Sequence, residues 1–131
     1  ANIAAAGLSS RVACFPDDVM SGTNLPGDPD IWWMSQFLDC FGEADVVRIL
    51  KKVRNAMRPG SRILILEPLI GNQKFPIGDR CFTAIANGCS RFYSEADFRR
   101  FALDAGLEVE SVENGLGIGH TLITLTRGDK S

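Results

Sequence analysis

The stretch 31-IWWMSQFLDCFGEADVVRILKKVRNAMRPGSRILILE-67 decides how this chain folds. Its first part, Ile31 to Phe37, is apolar and aromatic almost throughout, as in a strand covered on both faces. Glu43 to Arg58 then reads as a helix. Val46, Val47, Leu50, Val53 and Met57 recur at helical spacing, while Arg48, Lys51, Lys52, Arg54 and Asn55 fill the opposite side. Pro59-Gly60 stops it, and Arg62 to Glu67 is a second unbroken apolar run that ends in an acid. Strand, helix, strand in this order predicts a parallel pair with a right-handed crossover.

That unit gives Asp39 and Glu67 their interest. In an open α/β sheet, ligands sit beyond the carboxyl ends of the strands. Asp39 follows one strand and Glu67 ends the next. Neighbouring strands lie about 4.8 Å apart, so the two acids are expected to flank one crevice on one rim. The competing reading makes them two solvated loop acids, one of them capping the helix.

The flanking sequence extends the same pattern. Asn2 to Leu8 reads as the end of a helix closed by Gly7, and Arg11 to Phe15 as a short strand. A Gly/Pro-rich connection runs from Ser21 to Pro29. Residues 68–92 are irregular, with a short helix suggested over Asp79 to Ala86. A strong helix opens at Ser94, with Asp97 completing a capping box and Tyr93 placed to staple onto Phe98. Leu107 to Val112 and Thr121 to Thr126 are closing strands. Between them Gly115, Gly117 and Gly119 imitate a dinucleotide fingerprint, but a strand follows where that motif needs a helix, so they mark a turn.

Composition excludes several function classes. The 131 residues fit one domain, with 45% hydrophobic and 23% charged residues. A net charge of −2 without a basic stripe gives no footprint for nucleic acid. No apolar run nears the roughly 20 residues that span a bilayer. The four cysteines, Cys14, Cys40, Cys81 and Cys89, form no CxxC pair. They read as reduced thiols of a cytoplasmic protein, without a metal site. His120 is the single histidine and has no ligand partner at useful spacing, so it reads as a surface or structural residue.

The block from Asp28 to Glu67 resembles the centre of class I S-adenosylmethionine-dependent O-methyltransferases, enzymes that methylate hydroxyls of small, usually aromatic, molecules. "GLSSRVACFPDDVM" resembles the strand and acidic turn before that block, "RFYSEADFRRFALDAGLEVESVE" the helix and strand after it, and "GHTLITLTR" the closing antiparallel strand. The resemblance implies a Rossmann-like α/β fold with a partial sheet, mostly parallel with one antiparallel strand near the C-terminus. It implies that residues 1–131 form the C-terminal part of a catalytic domain, without the first strands, the Gly-rich loop and the N-terminal dimerisation domain. It further implies S-adenosylmethionine as cofactor, a small-molecule acceptor, a cytoplasmic homodimer, and a fragment that is inactive alone.

Position by position, Asp18 matches the acid that binds the adenine amine, Val19 lies beside the ring, and Ser35 stands where many members have a basic residue near the cofactor. Asp39 stands where plant-type members have the histidine that takes the hydroxyl proton, and Glu67 matches the acid that orients it. Cys40 and Phe41 replace the Asp and Trp that follow that histidine. Phe82, Ile85, Ala86 and Asn87 fall in the region that packs on the acceptor, and Arg91 matches a basic residue opening the next helix.

The departure at Asp39 has a chemical consequence. A free His has a pKa near 6.5 and a free Asp near 3.9, so the exchange removes roughly 3.5 kcal/mol of proton-transfer driving force. Two compensations are available: burial beside Glu67 raises a carboxylate's basicity, or the acceptor is already acidic and positioning supplies the rate. A non-catalytic binding or scaffold relative of the same fold is the rival reading. A dehydrogenase is disfavoured by the antiparallel final strand.

Overall fold

The computed structural model describes residues 2–22, 24–72 and 91–128. Its order is helix α1 (Asn2–Ala5), strand β1 (Ile31–Ser35), a 3-10 turn (Leu38–Cys40), helix α2 (Glu43–Ala56), strand β2 (Arg62–Glu67), helix α3 (Glu95–Asp104), strand β3 (Glu108–Leu116) and strand β4 (His120–Thr126). The sheet order is β1-β2-β4-β3. β1 and β2 run parallel, with Ile31 opposite Arg62 and Ser35 opposite Leu66. β4 is antiparallel to β2, with Thr121 opposite Glu67, and β3 pairs with β4 as a hairpin. Gly115, Gly117 and Gly119 all adopt positive φ around its tip, which explains why glycines gather there.

Strand alternation sorts the side chains. On one face Met34, Ile63, Ile65, Ile123 and Leu125 are buried. Val46, Ile49, Leu50 and Val53 of α2 and Phe98, Phe101 and Ala102 of α3 belong to the same core. Each large apolar side chain buried here is worth about 2 kcal/mol. On the other face Ile31 and Trp33 are 54% and 56% exposed. α2 ends at Ala56, with Met57 already extended, slightly earlier than its periodicity suggests. Pro59 disfavours helical backbone at Arg58, so the helix does not resume after that break.

α3 starts as its sequence predicts. Ser94 Oγ accepts from Asp97 N–H, and the Asp97 carboxylate accepts from Ser94 N–H, a complete capping box. The Tyr93 ring meets Phe98 edge-on at 5.9 Å between centroids. Ser94→Ala should lower stability by about 1 kcal/mol in urea unfolding.

Arg11 to Phe15, expected as a strand, is not one. It has no strand partner among the described residues, and Val12 and Phe15 are 44% and 66% exposed, so neither pairing nor burial with those residues holds it in a sheet. The last hairpin is longer than expected, since β3 continues to Leu116. The helix suggested over 79–86 lies outside the described residues, as do Cys81 and Cys89. Cys14 and Cys40 are free thiols.

Candidate active site

Glu67 is the last residue of β2 and falls on the core face, two places after Ile65. A position that β2 otherwise fills with isoleucine thus holds a carboxyl group, and it is only 1% exposed. Burial without compensation is costly, so its partners matter. Glu67 Oε1 accepts hydrogen bonds from Phe37 N–H at 2.9 Å and Leu38 N–H at 3.0 Å. Those amides open the 3-10 turn that carries Asp39 and Cys40. Oε2 is buried with no hydrogen-bond partner among the described residues.

The chain must bend sharply between β1 and this turn. Gln36 supplies the bend with φ of +47°, the one non-glycine residue with positive φ among those described. Such a conformer costs roughly 1–3 kcal/mol at a non-glycine residue. Gln36 N–H still bonds Leu66 O at 2.9 Å, so the β1–β2 ladder ends just before the amides pass to Glu67. The far side of the turn is held as well. Tyr93 Oη donates to Phe41 O at 2.6 Å, and Arg91 N–H donates to Asp39 O at 3.0 Å.

Two acids therefore share the carboxyl rim of neighbouring parallel strands. Burial, aided by the negative charge of Asp39, pushes the Glu67 carboxyl up to about 8, against the opposing pull of the backbone N–H groups. Burial also raises Asp39, although the Cys40 thiol, whose Sγ donates to Asp39 Oδ1 at 3.6 Å, works the other way. Cys40 is raised in turn, by burial and then by Asp39, which keeps it a thiol. At neutral pH Glu67 therefore keeps its proton, beside a half-buried Asp39 that burial has itself made more basic. Such a pair titrates as a unit.

The other expected site residues fall into separate groups. Asp18 is exposed, and its Oδ1 accepts from Met20 N–H at 2.9 Å. Val19 is half-buried beside it. This loop is fixed to α2: Lys52 Nζ donates to Val19 O at 3.0 Å and Ser21 O at 2.9 Å, and Arg48 donates to Met20 O at 3.1 Å. A groove of about 720 Å³ between loop and helix is lined by Val19, Met20, Leu25, Arg48 and Lys52. Ser35 is exposed at the end of β1. Arg91 pairs with Glu43 at 2.9 Å and lies over the Tyr93 ring, joining the starts of α2 and α3. Phe82, Ile85, Ala86 and Asn87 lie outside the described residues.

The rim holds one more side chain, that of His120, whose place there its sequence context does not announce. His120 precedes Thr121, the partner of Glu67, so it stands at the same end of the sheet. Its Nε2 lies 3.1 Å from Gln36 Nε2. The antiparallel entry of β4 was the available signal, because it returns the strand's first residue to the rim where β1 and β2 end.

The order of strands, with an antiparallel β4 between β2 and β3 and the acids at the carboxyl rim, is that of the methyltransferase fold. The mitomycin 7-O-methyltransferase MmcR superposes with a TM-score of 0.81 at 25% identity, over 97% of this chain and 37% of its own. NcsB1, an O-methyltransferase from neocarzinostatin biosynthesis solved with S-adenosyl-L-homocysteine and 1,4-dihydroxy-2-naphthoic acid, gives 0.80 at 21% identity, over 95% and 37%. No protein-family model matches the chain. Among curated proteins, the mitomycin biosynthesis 6-O-methyltransferase of Streptomyces lavendulae is 30% identical over 109 residues, covering 79% of this chain. The 3-amino-4-hydroxybenzoate 4-O-methyltransferase of Streptomyces cremeus is 30% identical over 105 residues, covering 78%. Both relatives are O-methyltransferases matched over most of this chain, which spans 30% and 28% of their own length.

Proposed function

We propose that this chain forms the proton-accepting side of a site that transfers a methyl group from S-adenosylmethionine to a hydroxyl of a small aromatic molecule, acting as part of a longer protein. The observation that supports it best is the turn 37–40, pinned by Glu67 so that Asp39 sits at the carboxyl rim of two parallel strands. S-adenosylmethionine supplies an electrophilic methyl on a sulfonium sulfur. Asp39 accepts the hydroxyl proton as the oxygen–carbon bond forms and the carbon–sulfur bond breaks. Glu67, neutral and buried, keeps the turn in place and leaves Asp39 as the single anion of the pair.

The loop at 18–19 fits the cofactor's adenine. Asp18 has a carboxylate oxygen open to an exocyclic amine, and Val19 offers an apolar surface beside a groove. Ser35, at the end of β1, lies on the same rim as the acid pair and is assigned to the cofactor side. The resemblance further supports a cytoplasmic homodimer for the whole protein, which sedimentation velocity would check.

The test is methyl transfer from labelled S-adenosylmethionine to a panel of hydroxyarenes by the whole protein. Label in an ether product is the expected result. Absence of cofactor binding would overturn the proposal and favour the non-catalytic binding or scaffold relative.

A further inference from the structure

Gln36 joins two features that the reaction itself does not use. It is a left-handed residue where glycine would be free of strain, and its side chain reaches a histidine 84 positions away in sequence. The strand between them, β2, ends in Glu67, so the contact crosses the very end of the sheet. The next two residues, Phe37 and Leu38, give their amides to Glu67 Oε1. A side chain that must hold an unfavourable backbone state needs an anchor, and strain of this kind persists only where the surroundings enforce it. His120 is that anchor: it is half-buried and fixed in β4 by the Leu116 and Thr121 pairings on either side.

We propose that His120 and Gln36 are a positioning pair, which holds the bend after β1 so that the turn bearing Asp39 closes onto Glu67. The assignment of that turn to methyl transfer rests on the function proposed above; the mechanical role does not. His120 touches no reacting atom in this scheme and acts through Gln36 alone.

Amide hydrogen exchange on this chain tests it. His120→Phe should speed exchange at Phe37 and Leu38 by about tenfold or more while the β2 amides are unchanged. His120→Gln, which keeps a polar atom, should restore much of the protection. In a Gln36→Gly background, where the bend needs no anchor, adding His120→Phe should change exchange at these amides by less than about threefold. Unchanged exchange in H120F would overturn the proposal. So would equal acceleration in β2, which makes His120 a general stabiliser, or an undiminished effect of H120F on top of Q36G. In the whole protein, H120F should lower kcat and leave KM for S-adenosylmethionine unaltered. If the exchange results appear but no methyl transfer is ever measured, the pair stands and the methyltransferase reading is what falls.

Discussion

Raising the pH from about 4.5 to about 8 should destabilise this chain, and Glu67→Gln should abolish most of that dependence. The Glu67 carboxyl has an ordinary value of 4.5 and stands at about 8 in the fold. Between those limits the folded chain holds a proton that the unfolded chain has released, so stability falls as pH rises. Its contribution is fully present below about 4.5 and is lost as pH passes through about 8. The interval corresponds to a loss on the order of 4 kcal/mol. Asp39, also raised, adds a term of the same sign. Asp97 and Glu110 are lowered, and their stabilisation disappears only under acid conditions, outside this window. Glutamine keeps an oxygen for the Phe37 and Leu38 amides and has no charge to bury. Urea midpoints across pH 5 to 8 should therefore slope in the native chain and lie nearly flat in E67Q. Glu67→Ala should instead cost about 2–5 kcal/mol at every pH, since it orphans buried amides and opens a cavity. Parallel slopes in E67Q and the native chain would remove Glu67 as the source.

Asp39→Asn in the whole protein should reduce turnover at least about tenfold, and by up to about 10⁴-fold if proton removal is fully developed in the transition state. Binding of S-adenosylmethionine should be little affected, because Asp18 and Val19, the residues proposed above for the adenine, belong to a separate cluster fixed on α2. The same substitution has a second readout that needs no activity. The charge of Asp39 is the second cause, after burial, of the high Glu67 value. Removing it should move the Glu67 titration midpoint downward in carboxyl-detected NMR of this chain, leaving the burial contribution. Native rates in D39N would exclude Asp39 as the proton acceptor. An unmoved Glu67 midpoint would exclude the electrostatic coupling.

Much of this site was legible in the sequence because parallel strands preserve direction. Ile31 to Phe37 and Arg62 to Glu67 flank a helix of unmistakable period, so the acids after them had to share a rim once the strands paired. α2 was readable because Val46, Leu50 and Val53 repeat on one side, and the α3 start because its cap is written in Ser94 and Asp97. What could not be read was backbone geometry. Glu67 meets Asp39 through the amides of Phe37 and Leu38, and that depends on a left-handed Gln36, which no side-chain pattern announces. The rim position of His120 could not be read because its neighbours there are 53 and more positions away along the chain and meet it only after β4 has entered the sheet. Arg11 to Phe15 failed for the opposite reason: its composition suits a strand, but a strand requires a neighbour to bond.

The alternation in β1 gives the molecule an internal optical gauge. Trp32 turns into the core layer and Trp33, its immediate neighbour, turns to the open side. Their indoles report on opposite sides of a single ribbon of backbone. Iodide should extinguish the emission of one and spare the other, and whatever comes to cover the bare side will shift the colour of Trp33 alone.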